Sequence, residues 1–190
     1  NYSDEWVKEA EKRGLLNLKT TVDAPPYYLK KKNIDLFVRH GVLTETEVKS
    51  RYEIQLDSYV KIIEVEAKTM LNMARREILP AAIGYSDELA NGLAAKASIG
   101  LDIKKTADKR LIDRLMKLND KLLKAIEKLE KDIKAAATKK ESLEIAEYHR
   151  DVIIPDMDKL RAISDELETI VDKAYWNFPT YTEILSSVMY

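Results

Sequence analysis

The side chains that could do chemistry in this sequence are few and scattered. His40 and His149 are its two histidines, and cysteine is absent. A transition-metal site needs three or four such ligands converging, and no HExxH-type spacing occurs here. His40, beside Gly41, reads as a helix C-terminal residue. Carboxylates gather as Glu64, Glu66 and Glu77, and again as Asp165, Glu166 and Glu168. A di-metal site in a helical bundle needs Glu together with Glu-x-x-His on facing helices. Glu144, Glu147 and His149 miss that spacing, and a solvated helix face accounts for these acids more simply. Neither GxGxxG nor GxxxxGK[ST] is present, so no glycine-rich phosphate loop is encoded. Two isolated histidines also give no Ser-His-Asp arrangement. We therefore assign no catalytic, cofactor-binding or metal-ligating residue to this chain.

Two sets of residues could bind something. Lys117, Lys121, Lys124, Lys128 and Lys131 make a basic helix face of the kind that meets phosphates. No aromatics interleave it and an acidic segment follows it, so no nucleic-acid partner is expected. The second set is Tyr175, Trp176, Phe178 and Tyr181, four aromatics within seven residues around Pro179. Rigid aromatic side chains anchor interfaces, so these four are the candidate interface residues. They are expected to lie against the bundle or against a domain outside this chain.

The elements that hold these residues are helical. Ser3 is placed to cap a short helix running to about Arg13, with Gly14 just beyond it. Asp23-Ala24-Pro25-Pro26 excludes helix from the following loop. A second short helix covers about Lys30 to His40. Thr44 and Glu47 then form a capping box, with Leu43 and Val48 at the staple positions. From Val48 an apolar stripe runs through Tyr52, Leu56, Tyr59, Ile63, Ala67, Met70, Ala74 and Ile78, and resumes at Ala81, Tyr85, Leu89 and Leu93. Pro80 lies inside it and should kink the helix without ending it. Positions 45 to 97 would span roughly 80 Å at the helical rise. The next helix shows near-heptad spacing at Leu111, Leu115, Leu118, Leu122, Ile126 (or Ala125), Leu129, Ile133 and Ala136. Thr138 with Glu141 reads as a second capping box opening a last long helix. That helix carries Leu143, Ala146, Ile153, Met157, Leu160, Leu167, Val171 and Ala174, with Arg150 and Ser164 in its remaining seam positions and a kink at Pro155.

The link between these last two helices is short, so they must run antiparallel. Charge favours the same pairing: residues 101–140 hold 13 Lys/Arg against 7 Asp/Glu, and residues 141–190 hold 4 against 11. The expected fold is all-α, an elongated antiparallel bundle of three long helices, two of them kinked at proline, with short N- and C-terminal helices. Residues 1–43 form the short helices and their loop, 44–174 the bundle, and 175–190 the aromatic tail. With 190 residues, 45% of them hydrophobic and only 5 Gly and 5 Pro, the composition suits such a fold. The net charge of −1 gives no global field toward nucleic acid or anionic membrane. No apolar run reaches the length of a membrane span, and the N-terminus is not a signal peptide. The absence of cysteine fits a reducing compartment such as the cytoplasm.

Several ordered sets of residues also resemble a known family. They are Thr20-Thr21-x-Asp23-Ala24, Lys32-Asn33-Ile34-x-Leu36-Phe37 with His40-Gly41-Val42-Leu43, and Ser50-Arg51-Tyr52-Glu53. Ile62 to Met70 follows, then Ile78-Leu79-Pro80-Ala81, Asp165-Glu166-Leu167-Glu168, and the segment Trp176 to Tyr181. Together they resemble the C-terminal region of type III glutamine synthetases, the long-chain bacterial form. Asn177 stands where that family tends to have Pro. The resemblance implies a parent enzyme that joins ammonia to glutamate through a γ-phosphorylated intermediate, using ATP and Mg2+ or Mn2+. It places the catalytic residues upstream, and implies as partners the upstream catalytic domain and further copies in a dodecamer of two hexameric rings. A free-standing spectrin-like or coiled-coil adaptor is the alternative that the helical pattern alone allows.

Overall fold

The computed structural model describes residues 3–179 and 181–187. Among them the chain is all-α. The helices are α1 (Asp4–Lys12), α2 (Lys31–Arg39), α3 (Glu45–Met73), α4 (Leu79–Ser98), α5 (Ala107–Ala136), α6 (Ser142–Tyr148), α7 (Ile154–Glu168) and α8 (Tyr181–Ser186). The chain divides into two compact units, Asn1–Ile63 with Lys139–Arg150, and Glu64–Thr138 with Asp151–Tyr190.

In the first unit the expected start signals are present as atoms. The Ser3 hydroxyl accepts from the Trp6 N–H at 3.4 Å, and Gly14 follows α1 with φ of 73°. The Thr44 N–H donates to Glu47 Oε2 at 2.7 Å and the Glu47 N–H donates to Thr44 Oγ1 at 3.2 Å, a reciprocal capping box. The loop before α2 is anchored rather than loose. The Thr20 N–H donates to Asp23 Oδ2 at 3.1 Å, and the Arg150 guanidinium donates to Asp23 Oδ1 at 2.8 Å. This anchoring sets Val22 into a core with Tyr52, Leu56 and Ala146, flanked by Leu29, Tyr59, Val60 and Leu143. Pro25 to Tyr27 make one 3-10 turn, the tightest helical form the paired prolines permit.

The second unit is built around α5, which buries Ile112, Leu115, Leu118, Leu122, Ile126, Leu129 and Ala136. Its neighbours are α4 and α7. Cross-helix ion pairs give the directions. Arg114 meets Glu166 at 2.8 Å and Lys128 meets Asp156 at 2.5 Å, so α5 and α7 are antiparallel. Arg75 meets Glu130 at 2.7 Å and Lys96 meets Asp108, so α4 and the turn before it also oppose α5. The charge asymmetry of the sequence is therefore realised as contacts between a basic helix and an acidic one.

Both interior prolines act in the same way. Ala74–Ile78 is a π turn, and Pro80 follows at the start of α4. His149–Ile153 is a second π turn, and Pro155 follows at the start of α7. Proline lacks the N–H that the carbonyl four residues back would accept, and its ring crowds that carbonyl. One widened turn just ahead of the ring relieves both problems, and the Leu79 N–H accordingly donates to the Ala74 carbonyl. The expected distortion at each proline thus takes the form of a π turn.

Some local expectations are corrected. Thr138 does not open a helix: its hydroxyl donates to the Ala135 carbonyl at 2.7 Å, closing α5, and Glu141 is the uncapped N-cap of α6. A threonine hydroxyl can satisfy a carbonyl behind it as readily as an N–H ahead, and here the preceding helix end takes it. At the start of α5 the buried residue is Ile112, with Leu111 half-buried, so the seam begins one position later than the heptad reading placed it. Ala174 is exposed because α7 ends at Glu168.

Candidate functional site

The aromatic segment after α7 is drawn onto the second unit. The Ala174 N–H donates to Asp172 Oδ1 at 2.7 Å and the Lys173 ammonium donates to the Phe178 carbonyl at 2.9 Å, folding residues 172–178 into a compact turn. Tyr175 then reaches α4. Its ring lies 5.7 Å from that of Tyr85, tilted by 47°. Gly84 makes the approach possible, since a Cβ there would stand 3.2 Å from two carbons of the Tyr175 ring. The hydroxyl of Tyr175 bonds to the carboxylate of Glu88, which raises the phenol above its ordinary pKa. Trp176 is 7% exposed and meets Phe178 edge to face at 5.8 Å. Two of the four candidate interface residues, Trp176 and Phe178, thus meet each other, and a third, Tyr175, lies against α4. Tyr181 opens α8, and its side chain lies outside the described residues.

The other sequence candidates do not converge. His40 is exposed at the end of α2. His149 is 1% exposed, with Nδ1 2.8 Å from the Ile145 carbonyl, so that nitrogen carries the proton and donates. Glu64 pairs with Lys68, Glu166 with Arg114 and Asp165 with Arg161, as members of solvated helix faces do. Lys128 bridges Asp132 and Asp156, and these hydrogen bonds raise its pKa. Asp156 itself is 4% exposed, a buried acid that α7's apolar pattern gave no reason to expect. Among the described residues, no three or more His, Cys, Asp or Glu side chains are grouped to hold a metal ion. These residues do not fit the divalent metal that an ATP-dependent ligase uses. Also among them, no helix is long and apolar enough to cross a membrane.

Among the described residues, two open apolar surfaces stand out. One is a groove of about 440 Å³ beside Met70, Met73, Ile78 and Leu160, rimmed by Glu66 and Arg161. The other covers α1, the segment after it and α2, where Trp6, Val7, Leu15, Leu16, Leu36 and Val38 are all exposed. Sequence reading passed over the second surface because short amphipathic helices look alike whether or not something covers them. The available signal was Leu15-Leu16-x-Leu18 inside a loop, three leucines where turn residues are the norm.

Comparison with known proteins gives a consistent picture. The glutamine synthetase C-terminal domain family matches residues 1–97. A glutamine synthetase of Butyrivibrio fibrisolvens is 40% identical over 188 residues, covering 98% of this chain and 27% of the relative. A type-3 glutamine synthetase of Dictyostelium discoideum is 30% identical over 97% of this chain and 26% of its own length. A glutamine synthetase of Bacteroides fragilis (strain YCH46) is 27% identical over 97% of this chain and 26% of the relative. The chain therefore spans about a quarter of the length of the curated relatives it matches. With a family match over half its residues, and the helical architecture described above, the chain belongs to the glutamine synthetase C-terminal domain family.

Proposed function

We propose that this chain is the noncatalytic helical C-terminal domain of a type III glutamine synthetase and that it serves subunit packing or assembly. The observation that carries the reading is similarity along 97% of the chain to a type-3 enzyme, in a fold whose candidate residues go into helix packing. In this reading the parent enzyme forms glutamine from glutamate, ammonia and ATP with Mg2+ or Mn2+. The groups that hold nucleotide, metal and glutamate belong to the remainder of the parent. The partners are that remainder and further copies of the whole subunit, as a dodecamer of two hexameric rings in the cytoplasm. Residues 44–174 supply the framework and residues 1–43 and 175–190 dress it; of the candidate interface residues Trp176 is buried within the chain, which leaves the half-buried Tyr175 and Phe178 to meet a partner.

The test is direct. The chain, supplied with glutamate, ammonium, ATP and magnesium, should form no glutamine above background; turnover would sink the noncatalytic assignment. Trp176→Ala in the full-length enzyme should shift the assembled species toward smaller forms on sizing chromatography. An unchanged elution profile would remove the aromatic segment from the assembly role. The free-standing adaptor reading requires a natural reading frame that begins near Asn1, so the upstream gene sequence decides against one of the two.

A further inference from the structure

Helices α1 and α2 have no core of their own. Each has nine residues and buries none. A helix that short is marginal in water unless tertiary packing supports it. Both are nevertheless amphipathic, and although Ile34 and Phe37 are half-buried, other apolar side chains face solvent: Trp6 is 40% exposed, Val7 43%, Leu36 46% and Val38 49%. Between them Leu15 and Leu16 are 54% and 60% exposed in a stretch that is neither helix nor strand. Single exposed apolar residues are ordinary, but their recurrence along α1, residues 15–18 and α2, on either side of the buried Val22 and Pro25, marks an interaction surface.

What covers this surface follows from length and order. The curated relatives are almost four times as long as the stretch this chain matches. The matched family is a C-terminal domain, so the bulk of a relative precedes the matched stretch. In a parent built that way, α1 is the first helix after the junction. A surface tethered so closely to its partner meets it at a high effective concentration as the chain folds, before a second subunit has assembled or a separate protein has bound. We propose that the apolar surface of α1, residues 15–18 and α2 docks onto the portion of the parent enzyme that precedes Asn1 in the same chain. This rests on the C-terminal domain reading above and adds to it the surface that faces the rest of the enzyme. It also divides the work: the aromatic segment closes onto α4, and the N-terminal helices meet the preceding domain.

The test uses the full-length enzyme. A photo-reactive benzoylphenylalanine is placed at Leu15 or at Val38, with Leu123 on α5, itself 45% exposed, as the comparison position. Oligomers are reassembled from nitrogen-15-labelled and unlabelled subunits, and cross-linked peptides are read by mass spectrometry. The expected result is cross-links from positions 15 and 38 to peptides preceding Asn1, both partners carrying the same isotope, and loss of those cross-links at position 123. Mixed-isotope pairs would overturn the proposal in favour of a second copy. Upstream cross-links from position 123 alone would overturn the choice of surface while leaving the C-terminal domain reading intact. No upstream cross-link from any position would overturn both.

Discussion

Helix α5 buries seven of its thirty residues, whereas α1 and α2, nine residues each, bury none. All three are amphipathic, so the difference does not lie in their patterns. It lies in what packs against each helix within the chain. α5 has α4 and α7 alongside, and its leucines fill the space between them. Trp6 and Val7 of α1 and Leu36 and Val38 of α2 have the same chemistry and are exposed. Under the docking proposed above, the chain is packed where its own helices meet and bare where the preceding part of the parent belongs.

The largest expected effect tests the packed side of that comparison. Leu122→Ala or Leu129→Ala, each at a fully buried position, should cost about 2–5 kcal/mol in urea unfolding followed by helical ellipticity. Leu16→Ala in the same chain should stay within about 0.5 kcal/mol, since its side chain is already in water. Equal losses at both sites would erase the distinction. Next in size, Asp156→Ala should cost about 1–3 kcal/mol, because Lys128 and Lys159 both bond to this buried carboxylate. A smaller effect separates two glycines of α4. Gly92→Ala meets no atom within 4 Å and should stabilise by about 0.5–1 kcal/mol, as alanine does inside a helix. Gly84→Ala should gain less or lose, because its methyl presses on Tyr175. A gain at Gly84 equal to that at Gly92 would mean the aromatic segment is not held where the ring contact puts it.

The smallest effect is a pH dependence in the first unit. The Thr44 N–H holds the Glu47 carboxyl below its ordinary value of 4.5. Because the folded pKa lies below the unfolded one, the stabilisation is fully present above the unfolded value and is lost as pH falls through the folded one. Glu47→Gln should therefore flatten the acid side of the stability profile. An unchanged profile would show that the capping box contributes nothing there.

Much of this fold is legible in the sequence because its signals are local. The Thr44–Glu47 box, the apolar stripes of α3 to α5 and the opposite charges of α5 and α7 each rest on spacings of three to seven residues. The prolines announced a distortion, but periodicity cannot say that a π turn will absorb it. Thr138 misled because its hydroxyl can serve a helix end on either side. His149 and Asp156 are polar residues at buried positions, satisfied by the Ile145 carbonyl and by Lys128, and such pairings are long-range or conformational facts. The candidate residues Tyr175, Trp176 and Phe178 stood out by type. That the segment turns back onto α4 depends on Gly84, ninety-one residues before Tyr175, and no local pattern connects the two. The open surface of α1 and α2 was the least legible feature, since the apolar spacing of a short helix is the same whether or not a partner covers it.

The claim that this domain packs and assembles rather than catalyses is tested most directly by sedimentation velocity on the full-length enzyme and on a form ending just before Asn1. The expected result is a shift of the truncated form to smaller species that still bind ATP. Truncated enzyme that sediments as the same assembled species would contradict the claim.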